Sequence, residues 1–289
     1  MKISEYRRST RETLGRLFGD EAGPLCDVLL CAFLDVDHSK LLLMADDEIP
    51  EEITYKMSDA IDRLGMGVPV QYIIGNCWFY GLKIQVGQGC FIPRSDTENL
   101  VKAAIGIIPQ GGSFVDIGVL EQSHFELQGQ HALHGPVDLR FVKGCALEYS
   151  YKALPYTEKN LEAYPNVSVR RFDALDESDY DALAEQFGRR FDAILCNPPY
   201  IKREDMDTLQ QQVLYEPHTA LDGGEDGLDY YRTIIPLAPI ILKDSGAIIF
   251  EVGAGEAEDV GNMLREAGYK VAFIRDVQGI ERVVLGKKY

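Results

Sequence analysis

Short apolar segments alternate with helical patterns from residue 113 onward, and this alternation constrains the fold more than any other feature of the chain. The apolar segments have the length and residue types of strands, and they span residues 113–117, 145–149, 167–172, 191–196 and 247–252. Helical patterns between them span residues 152–163, 180–187 and 228–242. Such alternation predicts an α/β fold, in which a mostly parallel sheet carries helices on both faces.

The last two strand candidates predict a different kind of pairing. Residues 271–275 and 282–285 are joined through Gln278-Gly279. A connection this short cannot cross over a sheet, so the two strands must pair in antiparallel fashion. We therefore predict a seven-stranded sheet that is mostly parallel and has an antiparallel last strand.

The N-terminal part of the chain has no strand pattern. Within residues 1–74, apolar side chains recur at helical spacing, as at Ile53, Met57 and Leu64, which predicts a helical bundle domain. Residues 75–94 alternate apolar and polar side chains and predict a β-hairpin linker. A third domain then covers residues 95–289. Its first helix is expected after Ser95-Asp96-Thr97-Glu98, which has the spacing of a capping box.

Charge and composition narrow the classes of function. The formal net charge of −17 argues against broad nucleic-acid binding, which depends on Lys and Arg contacts to phosphates, and it suits a protein or small-molecule partner. The N-terminus lacks the apolar stretch of a signal peptide, and no run approaches the roughly 18 apolar residues of a membrane span. No two of the six cysteines have the spacing of a CxxC pair. We expect a cytoplasmic monomer with reduced thiols and no bound metal.

One four-residue motif, Asn197-Pro198-Pro199-Tyr200, directly follows the strand candidate at residues 191–196. It therefore lies at the carboxyl edge of the sheet, where open α/β sheets bind ligands. Two prolines fix the backbone and remove two N–H donors, which leaves the Pro198 carbonyl as an acceptor. The Asn197 side chain and that carbonyl together can hold a planar –NH2 group, with Tyr200 as a wall beside it. The alternative is a rigid turn without chemistry.

A dinucleotide-like cofactor is expected at the first strand-to-helix turn, although the residues there would not indicate a cofactor site by themselves. Asp116-Ile117-Gly118 begins like an Asp-x-Gly-x-Gly loop, but the later glycines are absent from the sequence that follows. An acid that binds ribose hydroxyls should follow after about 20 residues. The first well-placed candidate is Glu148, 32 residues after Asp116, and the alternative for Glu148 is an ordinary surface acid. Residues 119–144 depart from the expected pattern in both sequence and length.

Two further acidic segments each have two interpretations. Asp173-Ala174 follows the third strand candidate, where the acid can accept from an exocyclic amine or can cap the next helix. The acidic, glycine-rich segment at residues 222–227 resembles a calcium loop superficially. Its ligand order does not match the EF-hand pattern, so we expect a tight loop beside the site instead.

Together, these motifs resemble the HemK/PrmC-type N5-glutamine methyltransferases of peptide-chain release factors. The resemblance runs from about residue 25 to the C-terminus. It is carried by residues 69–75, 79–82, 91–98, 197–201, 216–224 and 279–284, which include Phe91-Ile92-Pro93-Arg94, Asn197-Pro198-Pro199-Tyr200 and Glu216-Pro217. Asn-Pro-Pro-Tyr alone would also fit adenine-N6 methyltransferases, whereas the segment around Pro93 and the helical N-terminal domain favour the release factor enzymes.

The resemblance implies a class I (Rossmann-like) methyltransferase that takes its methyl group from S-adenosylmethionine. The implied acceptor is the glutamine of a release factor's Gly-Gly-Gln motif, and the helical domain would dock that release factor. Asn197, Pro198 and Tyr200 would be catalytic, and Asn197, Pro198, Pro199, Tyr200 and Phe91 would bind the substrate. The cofactor would contact Phe91, Pro93, Arg94, Thr97, Asp116, Gly118, Glu148, Asp173, Ala174 and Asn197. Because the glycine-rich loop is incomplete, a non-catalytic relative is the second alternative.

Overall fold

The chain divides into two units in the computed structural model, which describes residues 1–118, 143–188 and 191–288. The first unit is helical and comprises Met1–Asn76 together with Gln210–Tyr215. The second comprises Cys77–Leu209 and Glu216–Tyr289 and contains the large sheet. A short stretch from the middle of the chain is thus part of the N-terminal unit.

The helical unit buries one apolar face of each of its longer helices. Its helices are α1 (Ile3–Phe18), α2 (Ala22–Leu34), α3 (His38–Leu43), α4 (Glu51–Gly65) and α5 (Val70–Ile74). On α4, the predicted positions Ile53, Met57 and Leu64 are all buried. They are four and seven residues apart, so they lie on one side of the helix, and they pack into a shared core with Leu14 and Leu29.

A small hairpin begins the second unit. Strands β1 (Asn76–Phe79) and β2 (Leu82–Gln85) pair with each other and not with the large sheet. The two-residue turn between them consists of Tyr80 and Gly81, which both have positive φ angles of 48° and 82°. Positive φ at both central residues is the geometry that matches the twist of a tight hairpin.

The seven-stranded sheet has the order β5-β4-β3-β6-β7-β9-β8. Its strands are β3 (Ser113–Ile117), β4 (Lys143–Glu148), β5 (Val167–Arg171), β6 (Phe191–Cys196), β7 (Leu242–Glu251), β8 (Lys270–Arg275) and β9 (Glu281–Lys287). The first five strands in this order pair in parallel, and β9 pairs in antiparallel fashion with both β7 and β8. The predicted α/β fold, its seven-stranded sheet and its antiparallel last strand are confirmed.

Helices cover both faces of this sheet. They are α6 (Glu98–Ile107), α7 (Leu154–Leu161), α8 (Glu177–Phe187), α9 (Asp229–Ile241) and α10 (Ala257–Glu266). Along β6, Ile194 belongs to one apolar cluster and Leu195 belongs to the other. Because successive strand residues point to opposite faces, the central strands are buried on both sides and read as continuous apolar runs.

Three local features differ from the sequence prediction. Strand β7 begins at Leu242 rather than 247, because its polar start is held by an ion pair of 2.7 Å between Lys243 and Asp192. The prediction of a capping box is wrong. Residues 95–97 form a 3-10 turn, and the Glu98 carboxylate accepts from the Tyr80 amide at 3.2 Å instead of from the start of its own helix. Helix α10 was not predicted.

None of the helices in the described ranges is both long enough and apolar enough to cross a membrane.

Candidate functional site

A cavity of about 160 Å³ lies at the carboxyl ends of the parallel strands. This volume is more than ten times the roughly 10–15 Å³ that one water molecule needs. Gly118 follows β3, Glu148 ends β4, Phe172 follows β5 and Pro199 comes shortly after β6, and all four line the cavity. Ligands bind at this edge in open α/β sheets, so the cavity is the candidate cofactor site.

Glu148 is the most unusual side chain in the cavity. It is fully buried. Its Oε1 accepts a hydrogen bond from the Ser150 amide at 2.6 Å, whereas Oε2 has no hydrogen-bond partner among the described residues. Burial raises the pKa of Glu148 to about 8; the amides of Ser150 and Tyr149 oppose this shift, and the charge of Asp116 adds to it. Glu148 is therefore not a surface acid, and its second oxygen can accept from a ligand hydroxyl.

Asp173 lines the cavity with Ala174, and its hydrogen bonds test whether it caps the next helix. The Asp173 carboxylate accepts from the Leu175 amide at 2.9 Å, and its own amide donates to Asp179 at 2.6 Å. The cap of α8 is Asp176, which accepts from the Ser178 amide at 2.9 Å. The helix-cap interpretation of Asp173 is therefore wrong.

Several cavity residues were missed by the sequence prediction. They are Tyr149, Ser150, Phe172, Leu175, Thr219 and Tyr230. Tyr149 and Ser150 could have been inferred because they follow Glu148 directly. Tyr230 lies in the first turn of α9, far from every motif, and no sequence signal indicated it. Burial, followed by the charge of Asp173, raises the pKa of Tyr230 to about 12.

The Asn-Pro-Pro-Tyr corner begins immediately after β6. The Asn197 side chain is largely buried, and its Nδ2 donates to the Thr97 hydroxyl at 3.5 Å. Thr97 is itself fully buried, and its amide bonds to the Arg94 carbonyl at 3.2 Å. The structure therefore brings two predicted residues from distant segments together.

The acidic glycine-rich loop at residues 222–227 packs against the backbone of this corner. A Cβ atom at Gly223 would lie 2.7 Å from Tyr200 Cα and 2.8 Å from the Pro199 carbonyl oxygen. A Cβ at Gly227 would lie 2.5 Å from the Tyr200 carbonyl oxygen. The loop carries glycine at these positions because its backbone lies directly against the backbone of the corner. Its Asp222 carboxylate is engaged by the Gly224 amide at 2.9 Å and by Arg203 at 3.3 Å.

Glu216 holds the segment from Phe91 to Arg94. Its carboxylate accepts from the Ile92 amide at 3.0 Å and forms a short ion pair with Arg94. The Arg94 guanidinium also donates to the Ile92 carbonyl at 2.8 Å and lies 4.9 Å from the centre of the Phe91 ring. Burial raises the pKa of Glu216, and the Arg94 charge opposes this shift.

The structure gathers only part of the predicted set around the cavity. Gly118, Glu148, Asp173, Ala174 and Pro199 line it. The other predicted residues lie within the described ranges but do not line the cavity. They are Phe91, Pro93, Arg94, Thr97, Asp116, Asn197, Pro198 and Tyr200. The predicted irregular segment falls almost entirely on residues 119–142, outside the described residues.

The sheet order, with β9 antiparallel to its described neighbours, is that of the class I methyltransferase fold. Comparison with known proteins agrees. The PrmC N-terminal domain family matches residues 5–75. A release factor glutamine methyltransferase of Geobacter sulfurreducens is 35% identical over 261 residues, which cover 90% of this chain and 87% of the relative. Another, from Thermodesulfovibrio yellowstonii, is 33% identical over 266 residues and 90% of each chain.

The chain belongs to the release factor glutamine methyltransferase family. A solved structure in the comparison is a release factor-specific protein-(glutamine-N5) methyltransferase from Alicyclobacillus acidocaldarius. It is 25% identical, with a TM-score of 0.38, and the match covers 71% of this chain and 99% of the other.

Proposed function

We propose that the protein transfers a methyl group from S-adenosylmethionine to the side-chain amide nitrogen, N5, of the glutamine in a release factor's Gly-Gly-Gln motif. The observation that carries this proposal is a register position. Ile117 of β3 pairs with Cys196 of β6. Gly118 directly follows Ile117 and lines the cavity. Asn197 directly follows Cys196 and begins the corner. The cavity proposed for the cofactor and the corner proposed for the amide therefore begin on neighbouring strands.

The cavity residues fit the chemistry of this cofactor. Glu148 Oε2, buried and without a hydrogen-bond partner in the described part of the chain, suits a ribose hydroxyl that would satisfy it. Asp173, beside Ala174, is suited to accept from the exocyclic amine of a purine. Tyr230 and Thr219 complete the wall. When bound, the cofactor supplies an activated methyl group on a sulfonium.

The corner residues would prepare the acceptor amide. An amide nitrogen is a weak nucleophile because its lone pair is delocalised into the carbonyl, so orientation is the main contribution that the protein can make. The Asn197 side-chain oxygen and the Pro198 carbonyl would accept the two N–H bonds of the glutamine amide, which favours the positive charge that develops on nitrogen. Tyr200 and Phe91 would form the walls. No strong general base is required if the proton leaves after transfer.

The remaining features concern the partner. The helical domain would dock the release factor, and the net charge of −17 suits a protein partner better than nucleic acid. In this proposal the enzyme works in the cytoplasm as a monomer.

The test is a methylation assay with a purified release factor, followed by mass spectrometry of its Gly-Gly-Gln peptide. One added methyl group on the glutamine side chain supports the proposal. Isothermal calorimetry with S-adenosylmethionine tests the cofactor separately. A protein without measurable cofactor binding would instead be the non-catalytic relative that the incomplete glycine loop suggests.

A further inference from the structure

An arginine at the end of strand β5 contacts two tyrosine rings beside the candidate cofactor cavity. Arg171 is the last residue of β5, and its Cζ lies 5.3 Å from the centre of the Tyr149 ring and 4.6 Å from the centre of the Tyr151 ring. Tyr149 lines the cavity, whereas Arg171 and Tyr151 do not. Arg171 can therefore act on the cavity only through another residue, and Tyr149 is in contact with it.

The pairing of strands β4 and β5 brings Arg171 next to Tyr149. In the parallel register of these strands, Arg171 is the partner of Glu148, and Tyr149 directly follows Glu148. The Phe172 amide donates to the Glu148 carbonyl at 3.0 Å, which continues the pairing past the end of β5. All of these residues belong to the same unit of the chain. The contact is thus built on the backbone of the sheet.

Hydrogen bonds restrain the backbone on which the two tyrosines stand. Glu148 Oε1 accepts from the Ser150 amide at 2.6 Å. The Ser150 hydroxyl in turn accepts from the amides of Lys152 and Ala153, each at 3.3 Å. These bonds limit where the backbone can go, but they do not set the direction of either tyrosine ring.

The ring directions depend on Arg171 because both rings are open to water. Tyr149 is 44% exposed and Tyr151 is 72% exposed. An exposed ring samples several rotamers, and fixing one of them when a ligand binds reduces the affinity. A guanidinium is attracted to the face of an aromatic ring, so a guanidinium that contacts both rings restricts both. The Tyr149 wall is then already in place in the ligand-free protein.

We infer that Arg171 is a positioning residue for cofactor binding, because it holds the Tyr149 ring as a wall against which the adenine of S-adenosylmethionine packs. An aromatic wall suits a flat conjugated group. Asp173, which is proposed to accept from the exocyclic amine of the purine, lines the same cavity. The inference rests on the proposed function and deepens it, since it assigns a part in cofactor affinity to a residue outside the cavity.

The experiment measures the affinity of Arg171→Ala for two ligands by calorimetry. S-adenosylmethionine carries a sulfonium and therefore has one more positive charge than S-adenosylhomocysteine. The matched control is Arg170→Ala. Arg170 is the preceding residue of β5, so its side chain points to the other face of the sheet, where its Cζ lies 5.4 Å from the centre of the Phe187 ring. Phe187 does not line the cavity.

We expect Arg171→Ala to bind both ligands about threefold to fivefold more weakly than wild type, the size expected for cation–π contacts at exposed rings. A purely electrostatic effect would have the opposite sign for S-adenosylmethionine, because removing a cation favours a cationic ligand. Arg170→Ala should bind both ligands within about twofold of wild type. In methylation assays, Arg171→Ala should raise the KM for S-adenosylmethionine and leave kcat unchanged, since the wall acts on binding alone.

A double-mutant cycle tests whether Arg171 acts through Tyr149. In a Tyr149→Ala background there is no ring to hold, so adding Arg171→Ala should change the affinity by less than about twofold. If the two substitutions instead weaken binding additively, Arg171 acts independently of Tyr149 and the inference is wrong.

Three further results would overturn the inference. They are an unchanged affinity of Arg171→Ala for both ligands, a change confined to S-adenosylmethionine, and an equal loss in Arg170→Ala. In each of these cases wild type still binds the cofactor, so the proposed function stands. If wild type binds neither ligand, the proposed function fails, and the role of Arg171 in cofactor binding fails with it.

Discussion

The carboxylate of Glu216 accepts a hydrogen bond from the backbone amide of Ile92 at 3.0 Å, although 124 residues separate the two in the sequence. Glu216 also pairs with Arg94, and its side chain is only 2% exposed. A buried carboxylate is stable as an anion only when such partners compensate for the lost water. Glu216 therefore connects the segment that carries Phe91 to the segment that begins at Glu216 itself.

Removing the Arg94 cation should show how far the stability of the protein depends on the partners of Glu216. Arg94→Ala leaves a buried carboxylate without its ion pair and should lower the free energy of unfolding by about 2 kcal/mol; the loss falls short of that for a fully buried pair because Arg94 is partly exposed. Arg203→Ala is the control, since Arg203 pairs with Asp222 at the surface and should cost less than about 1 kcal/mol. Urea denaturation measures both. Equal losses would contradict the structural role of Glu216.

Gly223 should be essential to the proposed substrate corner. In Gly223→Ala, the added methyl group collides with Tyr200 Cα and the Pro199 carbonyl and must displace the corner. A displacement near 1 Å costs about 100-fold in a rate that depends on positioning. Gly106→Ala is the control. Gly106 lies in helix α6, and a Cβ atom added there would meet no atom within 4 Å. Single-turnover methylation that is equal in the two variants would refute this assignment.

The raised pKa of Glu148 predicts a pH dependence of stability in the cofactor-free protein. The unfolded carboxyl titrates near its ordinary value of 4.5, whereas the folded one titrates at about 8. Between these values the folded state binds more protons than the unfolded state, so stability falls as pH rises. Glu148→Gln cannot ionise and should lose less stability from pH 5 to 8. If the thermal midpoints of the two proteins changed with pH in parallel, the pKa of Glu148 would not be raised in the folded state.

The same carboxyl should link cofactor binding to protons. Only the ionised form offers both oxygens fully as acceptors, so S-adenosylmethionine should favour ionised Glu148 and release a proton on binding. Affinity should then rise by up to about tenfold per pH unit below the folded pKa. Calorimetry in two buffers of different ionisation enthalpy counts the released protons. A pH-independent affinity together with no proton release would argue against Glu148 as the ribose ligand.

Much of the sheet was predictable because its central strands are buried on both faces and read as apolar runs. The position of Asn197 followed from the same argument, since a motif after a parallel strand must lie at the carboxyl edge of the sheet. The capping of α8 was harder. Asp173 and Asp176 are both suitable cap residues, and only the hydrogen bond to Ser178 decides between them.

Other features depend on contacts that leave no local pattern. Gln211 and Tyr215 both donate to the Met66 carbonyl, and a backbone acceptor has no sequence signature. Glu98 has the spacing of a capping box, yet the hairpin amide of Tyr80 binds its carboxylate instead. Tyr230 reaches the cavity only because α9 packs against the sheet. In each case a long-range contact decided the outcome after local propensity had left it open.

The central claim is that the corner at Asn197 orients a glutamine amide for methylation. The most direct test is mass spectrometry of a release factor's Gly-Gly-Gln peptide after incubation with S-adenosylmethionine and either wild type or Asn197→Ala. We predict one methyl group on the glutamine amide with wild type and none with the variant, while calorimetry finds their cofactor affinities within a few-fold of each other, because Asn197 would act mainly on the acceptor. A variant that methylates this glutamine as fast as wild type would contradict the account.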